Sequence, residues 1–360
     1  MPIQKGPANL GTGSVDSTEL ASTLDLSAKT VTYRTIVAGD IASNAITTAK
    51  VADTAITPTK MANSGAELGM RNKLINGNFD VWQRGTSLTF SGTSQFIADR
   101  WKMGGQSITA SQQTFTLGQT EVPGNPRYYF RYVVGANSQN YEIQQLIEDV
   151  RILAGQTITL TYWARRTAGT VSIGPRVVQD FGTGGSPSGL VVVSPTQVGS
   201  QTLTTSWQKF TYNATLPSIS GKTIGTNNDN STWLSFQIGD TNTGTIEFAQ
   251  MQVEIGSTAT PFEIRPYTTE LALCQRYFQK YTSALQGSWG NTTVTYQMYL
   301  YPVVMRTAPT WSYSNIGYSS TSGLGTNSST AALLRTTLTI TAGGGYGYAT
   351  FDMETSGAEL

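Results

Sequence analysis

Leu26, Val31, Ile36, Ile41, Ile46, Val51, Ile56 and Met61 fall at a constant spacing of five, separated almost entirely by small or polar residues. Five matches neither the 3.6-residue period of a helix nor the two-residue alternation of a strand. The second half tightens into ten-residue units, 41–50 and 51–60, each opening on Ile or Val and closing on Lys. One buried Val or Ile returns roughly 1.5–3 kcal/mol. Ordering five residues of backbone costs about 5–10 kcal/mol, so a single copy of the repeat cannot hold itself together. Parallel copies around one axis can, because each layer then buries one apolar side chain per chain. The repeat predicts an intertwined stalk, three-fold as the expected closed arrangement. A flexible linker and a monomeric five-residue solenoid are the alternatives.

Ahead of the repeat, residues 1–25 are rich in Pro, Gly, Ser and Thr and read as an extended arm. Residues 62–69 read as a hinge. From residue 70 the texture changes to short apolar runs between Gly, Pro, Asn and Ser turns. Strands are expected over 74–79, 87–90, 128–134, 141–146, 157–165, 170–178, 207–214, 232–238 and 245–255. In 157–164, Ile158, Leu160 and Tyr162 share one face while Thr157, Thr159, Thr161 and Trp163 share the other. Residues 142–153 also fit a helical pattern. The clearest helix is 270–281, in a linker spanning 267–281, where Leu271, Cys274, Tyr277, Phe278 and Tyr281 recur at three- and four-residue spacing. Strands return over 294–304, 310–313, 332–341 and 346–352. The fold class is thus mostly β: an N-terminal repeat stalk (26–61), a β-sandwich or jelly-roll module (70–266), one connecting helix and a small C-terminal β domain (282–360).

Composition narrows the function. Only 12% of the 360 residues are charged and the formal net charge is +1, which gives no electrostatic handle for nucleic acid or an anionic membrane. There is no histidine, the commonest general base and metal ligand. The single cysteine, Cys274, excludes an intramolecular disulfide and sits on the apolar face of the expected helix, as an inert thiol would. No run reaches the length of a transmembrane helix, and the first residues lack the apolar core of a signal peptide. Synthesis in a cytoplasm and release by lysis within a particle are expected.

Three motifs then carry a resemblance. Leu74-Ile-Asn-Gly-Asn-Phe-Asp80, Tyr162-Trp-Ala-Arg165, and Gln252-Val-Glu-Ile-Gly-Ser257 followed by Pro261-Phe-Glu-Ile-Arg265 resemble the galactose-binding-like jelly roll of carbohydrate-binding modules. The run Trp82–Gly85, the run Ala98–Trp101 and the Cys-Gln-Arg-Tyr pattern at 274–277 make it more similar still to the version carried by bacteriophage and prophage tail-fibre proteins. The resemblance covers about residues 70–270, and 299–310 resembles the terminal domain of the same fibres. It implies a non-catalytic, homotrimeric receptor-binding protein of the virion tail, with the capsid surface as an alternative location. The N-terminal arm would dock on tail or baseplate proteins and a β domain would bind host-surface polysaccharide. A purely structural spacer and a polysaccharide-cleaving tailspike are the rival roles. The family also implies a structural calcium held by acidic residues of the opening motif and last strand; Asp80 could fill the first role, while 248–254 lacks the acidic pair.

The chemistry in the residues agrees with binding rather than turnover. A Ser/His/Asp or Cys/His nucleophile system needs histidine. Glycosidases need only two carboxylates in a cleft, yet nothing in the spacing of Glu142, Glu148, Asp149 and Asp180 singles out a pair. Sugar binding needs flat apolar faces and hydrogen-bonding side chains. Trp101 and Trp207 read as core. Trp163 with Arg165, Trp233 behind the polar loop 227–232, and Trp289 and Tyr318 as tip-loop residues are the candidate contacts.

Overall fold

The computed structural model describes residues 69–135, 141–193, 201–238, 243–289, 294–319, 322–339 and 345–360. The arm, the hinge before residue 69 and all eight repeat positions from Leu26 to Met61 lie outside them. The described chain is mostly β, with several antiparallel sheets and one α-helix.

The first eleven strands are β1 (Ser87–Phe96), β2 (Lys102–Thr114), β3 (Tyr128–Val134), β4 (Tyr141–Glu148), β5 (Thr157–Arg166), β6 (Val171–Asp180), β7 (Val191–Val192), β8 (Gln201–Leu203), β9 (Gln208–Thr215), β10 (Ser231–Ile238) and β11 (Gly244–Ile255). They form one continuous ladder in the order β7-β6-β10-β4-β2-β3-β11-β5-β9, with β1 on β2 and β8 on β6. The ladder folds over on itself at β2, whose start pairs with β4 through Lys102–Gly104 and whose end pairs with β3 through Ile108–Thr114. Between these stretches Gly105 and Ser107 have φ of 134° and 53°, values that break a flat strand. Aromatic contacts between distant places in the ladder show the resulting sandwich. Tyr162 of β5 meets the Phe236 ring of β10 edge-on at 4.7 Å, and Phe236 lies 5.5 Å from Phe248 of β11. Ile158, Leu160 and Tyr162 face this core, as the alternation predicts.

One expected strand is absent from the structure, while the strand expected over 141–146 is present in place of the helical alternative. Residues 74–79 do not form a strand. Asn76 and Phe79 adopt positive φ, and the buried Asn76 side chain closes a turn by donating to the carbonyls of Val81 and Asp99 and accepting from the Val81 amide. Gly77 is required there because a Cβ would meet the Met251 carbonyl oxygen at 2.2 Å. Residues 142–148 belong to a strand, paired along their length with β10 and, over 142–144, also with β2.

The helix α1 (Tyr267–Gln275) is shorter than the apolar pattern. The amides of Tyr277 and Phe278 both bond to the Cys274 carbonyl, and the Gln279 amide then goes to Thr355 Oγ1. Sheet pairing takes over from the helix at that point. Cys274, Tyr277 and Phe278 are buried, so the spacing reported a packed face more than a continuous helix.

Six further strands follow: β12 (Lys280–Trp289), β13 (Val294–Leu300), β14 (Thr310–Ser319), β15 (Ser322–Ser329), β16 (Leu333–Thr339) and β17 (Gly345–Ser356). They make two three-stranded sheets, β12-β17-β14 and β13-β16-β15. Among the described residues, Tyr301, Met305, Leu334, Phe351, Met353 and Ala358 form their core. No described helix is long and apolar enough to cross a membrane.

Candidate functional site

Strand β5 presents Thr161, Trp163 and Arg165 on the face opposite the sandwich core. In register, Trp163 lies between Ala249 of β11 and Lys209 of β9. Strand β11 has a bulge between Ala249 and Gln252, where Gln250 takes a φ of 48°. The extra residue lets neighbouring groups serve both sides of the sheet. Gln250 Nε2 donates to the Pro123 carbonyl at 2.7 Å and so anchors the β2–β3 connection over this face. The Met251 amide turns the other way and donates to the Gly77 carbonyl at 2.8 Å.

The result is an open cleft of about 530 Å³ lined by Thr161, Trp163, Lys209, Gln250, Phe262 and Ile264, among others. Trp163 and Phe262 are half-buried, Lys209 is exposed, and Ile264 is 68% exposed. Two aromatic side chains, an amide and an ammonium therefore line one solvent-open groove. The Lys209 ammonium is exposed and makes no side-chain hydrogen bond or ion pair among the described residues.

Arg165, two positions along the same face, is placed differently. Its Nε donates to Glu247 at 2.6 Å, and its guanidinium lies 4.9 Å from the Trp207 ring centroid. Glu247 is fully buried and also accepts from Arg131. A carboxylate removed from water needs this pairing, so Arg165 is committed to the sheet. Trp207 itself is buried in a small cluster with Val122, Tyr129 and Ala249.

The other sequence candidates do not join the cleft. Trp233 lies on β10, in register with Leu146 and Val178, and its Nε1 donates to Ser231 Oγ at 2.9 Å. The polar loop before it is consumed internally: Asn227 donates to Thr183, Asp229 accepts from the Thr183 amide, and Asn230 accepts from the Val150 amide. Trp289 and Tyr318 were expected on tip loops but belong to strands β12 and β14, in register with Gly345 and Ala349 of β17. Their side chains lie outside the described residues.

The motifs behind the family resemblance are largely spent on framework. Asp99 accepts from the Gln83 amide and Nε2, and Trp101 Nε1 donates to the Asn76 carbonyl, so the runs 74–80, 82–85 and 98–101 lock one another. Glu263 accepts from the Arg71 and Asn72 amides, and Arg265 donates to the carbonyls of Asn72 and Leu74. The motifs of the last strand thereby hold the opening segment.

A calcium shell does not fit the side chains present. Asp80 accepts from Asn78; Glu247 lies between two arginines, and Glu254 accepts from Thr260 Oγ1 at 2.6 Å. No group of three or more potential acidic, histidine or cysteine ligands occurs among the described residues, whereas calcium takes six to eight oxygens. Of the four mid-chain acids, Glu148 accepts from Arg276 and Tyr277, Asp149 from Arg151, and Asp180 from the Gly182 amide. Burial pushes the Glu148 carboxyl up, but the Arg276 and Tyr277 hydrogen bonds outweigh it and hold the group below its ordinary range.

No protein-family model matches the sequence, and no curated protein is similar to it. Among solved structures, the C-terminal family 22 carbohydrate-binding module of Clostridium thermocellum Xyn10B matches with a TM-score of 0.33 and 10% identity, over 53% of this chain and 99% of that one. The Clostridium thermocellum family 11 module, solved with a mixed-linked tetrasaccharide, gives 0.28 and 9% over 49% and 98%. The enzymatically active domain of bacteriophage CBA120 tailspike protein 4 gives 0.28 and 12% over 51% of this chain; the match spans about a fifth, 21%, of that chain. At these TM-scores none assigns a function to this chain.

Proposed function

We propose that this protein binds glycans without transforming them and that the Trp163 cleft is its contact surface. The observation that carries this reading is the cleft itself: half-buried aromatic rings beside the Gln250 amide and the exposed Lys209 ammonium in a groove open to solvent. Pyranose rings pack their C–H faces on such side chains while their hydroxyls bond to amides and ammonium groups. In the finer reading the chain is a homotrimeric tail fibre of a phage particle, docked through its N-terminal arm and attaching the virion to host-surface polysaccharide. The five-residue repeat and the motifs shared with fibre proteins support it. Three weak sites on one axis would gain roughly a hundred-fold in avidity.

Affinity electrophoresis of the full chain through gels containing host-surface polysaccharide tests the binding. Retardation is expected, and Trp163→Ala should weaken it about tenfold, the equivalent of about 1.4 kcal/mol. A wild-type chain that migrates freely through every such gel supports a spacer role instead. Reducing ends released from the polysaccharide would overturn the non-catalytic reading. A monomeric mass in solution would overturn the trimer.

A further inference from the structure

A second groove, of about 560 Å³, is built from parts far apart in the sequence. Asp80 and Trp82 come from the opening segment, Gln112 from β2, Arg127 from just before β3 and Tyr128 from its first position, and Tyr267 from the first turn of α1. Its aromatic members are fixed to different extents. Trp82 stacks on Phe130 at 5.8 Å with planes 22° apart, and its Nε1 donates to the Phe79 carbonyl at 2.8 Å. Tyr267, in contrast, is 57% exposed, a large aromatic left in water beside a groove.

The charged pair in this groove is unusual for the molecule. Asp80 and Arg127 line the same space, yet they form no ion pair with each other. Asp80 accepts from Asn78 Nδ2 at 3.0 Å, and it has no other hydrogen-bond partner among the described residues. The Arg127 guanidinium stacks 4.8 Å from the Tyr128 ring centroid and donates to no acceptor among them. Burial holds the Asp80 carboxyl above its ordinary range, against the pull of Asn78 and Arg127. A half-buried carboxylate with spare acceptor capacity thus stands near a guanidinium with spare donors. Neighbouring hydroxyl groups on one ring supply the complement, one donating to the carboxylate and the other accepting from the guanidinium. A neutral ligand suits the pair better than an ion, because the groove carries both signs of charge.

We propose that this groove is a second carbohydrate subsite, taking a neutral pyranose by two adjacent hydroxyls held between Asp80 and Arg127, with its apolar face against Trp82, Tyr128 or Tyr267. The proposal rests on the reading of the protein as a glycan binder but uses none of the residues of the Trp163 cleft.

Saturation-transfer NMR on the full chain tests it, with the methyl glycosides of glucose, galactose and mannose as probes. At least one glycoside should receive saturation from the wild type. Made in a Trp163→Ala background, which removes the contribution of the first cleft, Asp80→Asn and Arg127→Ala should each weaken that binding about tenfold. Arg127 is exposed, so its variant keeps the fold even where Asp80→Asn does not. Absence of transfer to all three glycosides overturns the second subsite and leaves the polysaccharide test of the Trp163 cleft standing. Transfer lost in Trp163→Ala but kept in Arg127→Ala overturns it too, since one cleft then does all the binding.

Discussion

Where the sandwich meets the C-terminal strands, charged side chains are spent on one another. Arg84 and Arg100 both bond to Glu359, Arg276 and Tyr277 to Glu148, and Arg306 to the carbonyls of Asn228, Ala358 and Glu359. Arg100 is 1% exposed and lies 3.5 Å from the Tyr277 ring centroid. In the two grooves the same residue types stand apart: the Lys209 ammonium has no side-chain partner among the described residues, and Asp80 and Arg127 line one space without pairing. Residue type therefore does not separate framework from site in this molecule. What separates them is whether the protein itself consumes the hydrogen-bonding capacity. A satisfied buried network gives up its capacity to bind a ligand in exchange for a fixed geometry.

The sharpest way to break this contrast is at the junction. Glu359→Ala leaves Arg100 buried without its carboxylate, and losing one partner of such a pair costs about 3–5 kcal/mol. Urea unfolding of the full chain should show a loss in that range, while polysaccharide retardation just below the new midpoint persists. A loss under about 1 kcal/mol would make the junction no more than an exposed surface pairing.

Asp99 gives a smaller effect with a defined sign. Desolvation raises its carboxyl to about 6, partly offset by Arg84 and by the Gln83 hydrogen bonds. Its unfolded value is near 3.8, so between those limits the folded chain holds a proton that the unfolded chain has released. Stability from this group is therefore present at low pH and lost as pH rises through about 6. The Asp99→Asn variant carries no such titration. Relative to it, the wild type should lose about 2 kcal/mol of unfolding free energy between roughly pH 4 and 7. A pH-independent difference between the two would show that Asp99 titrates at its ordinary value.

These same residues show what was legible in the sequence. Alternation placed Ile158, Leu160 and Tyr162 inward and Trp163 outward because β5 is a regular strand with one buried face. The turn at 74–79 was read as a strand because its apolar residues hide a backbone shaped by the Asn76 side chain, bonded to Val81 and Asp99, and by the close approach of Gly77 to the distant Met251. Strand β2 went unseen because Lys-Met-Gly-Gly-Gln-Ser-Ile-Thr-Ala-Ser-Gln-Gln-Thr carries few apolar residues and two glycines; its pairing with two partners supplies what local propensity does not. Neither groove could be read, since each assembles from segments between 80 and 267 that only the tertiary fold brings together. Gln250 carried no signal, and Phe262 stood inside the motif 261–265 without being marked as a contact.

The finest cut lies within one strand face, at Arg165 and Trp163. The sequence paired them as sugar contacts, but the structure gives Arg165 to Glu247 and Trp207 while Trp163 opens onto the cleft. Arg165→Gln removes one of two guanidiniums from a fully buried carboxylate. Arg131 remains, and Arg165 is itself 24% exposed, so the cost should be about 1–2 kcal/mol, below that of a fully orphaned charge. Polysaccharide retardation should stay within about twofold of wild type, a change under roughly 0.5 kcal/mol. Trp163→Ala should give the reverse, with binding reduced and the unfolding midpoint little moved. If Arg165→Gln instead abolishes retardation at unchanged stability, the guanidinium reaches the ligand, and the division between paired framework and unpaired site fails on the strand that displays it most clearly.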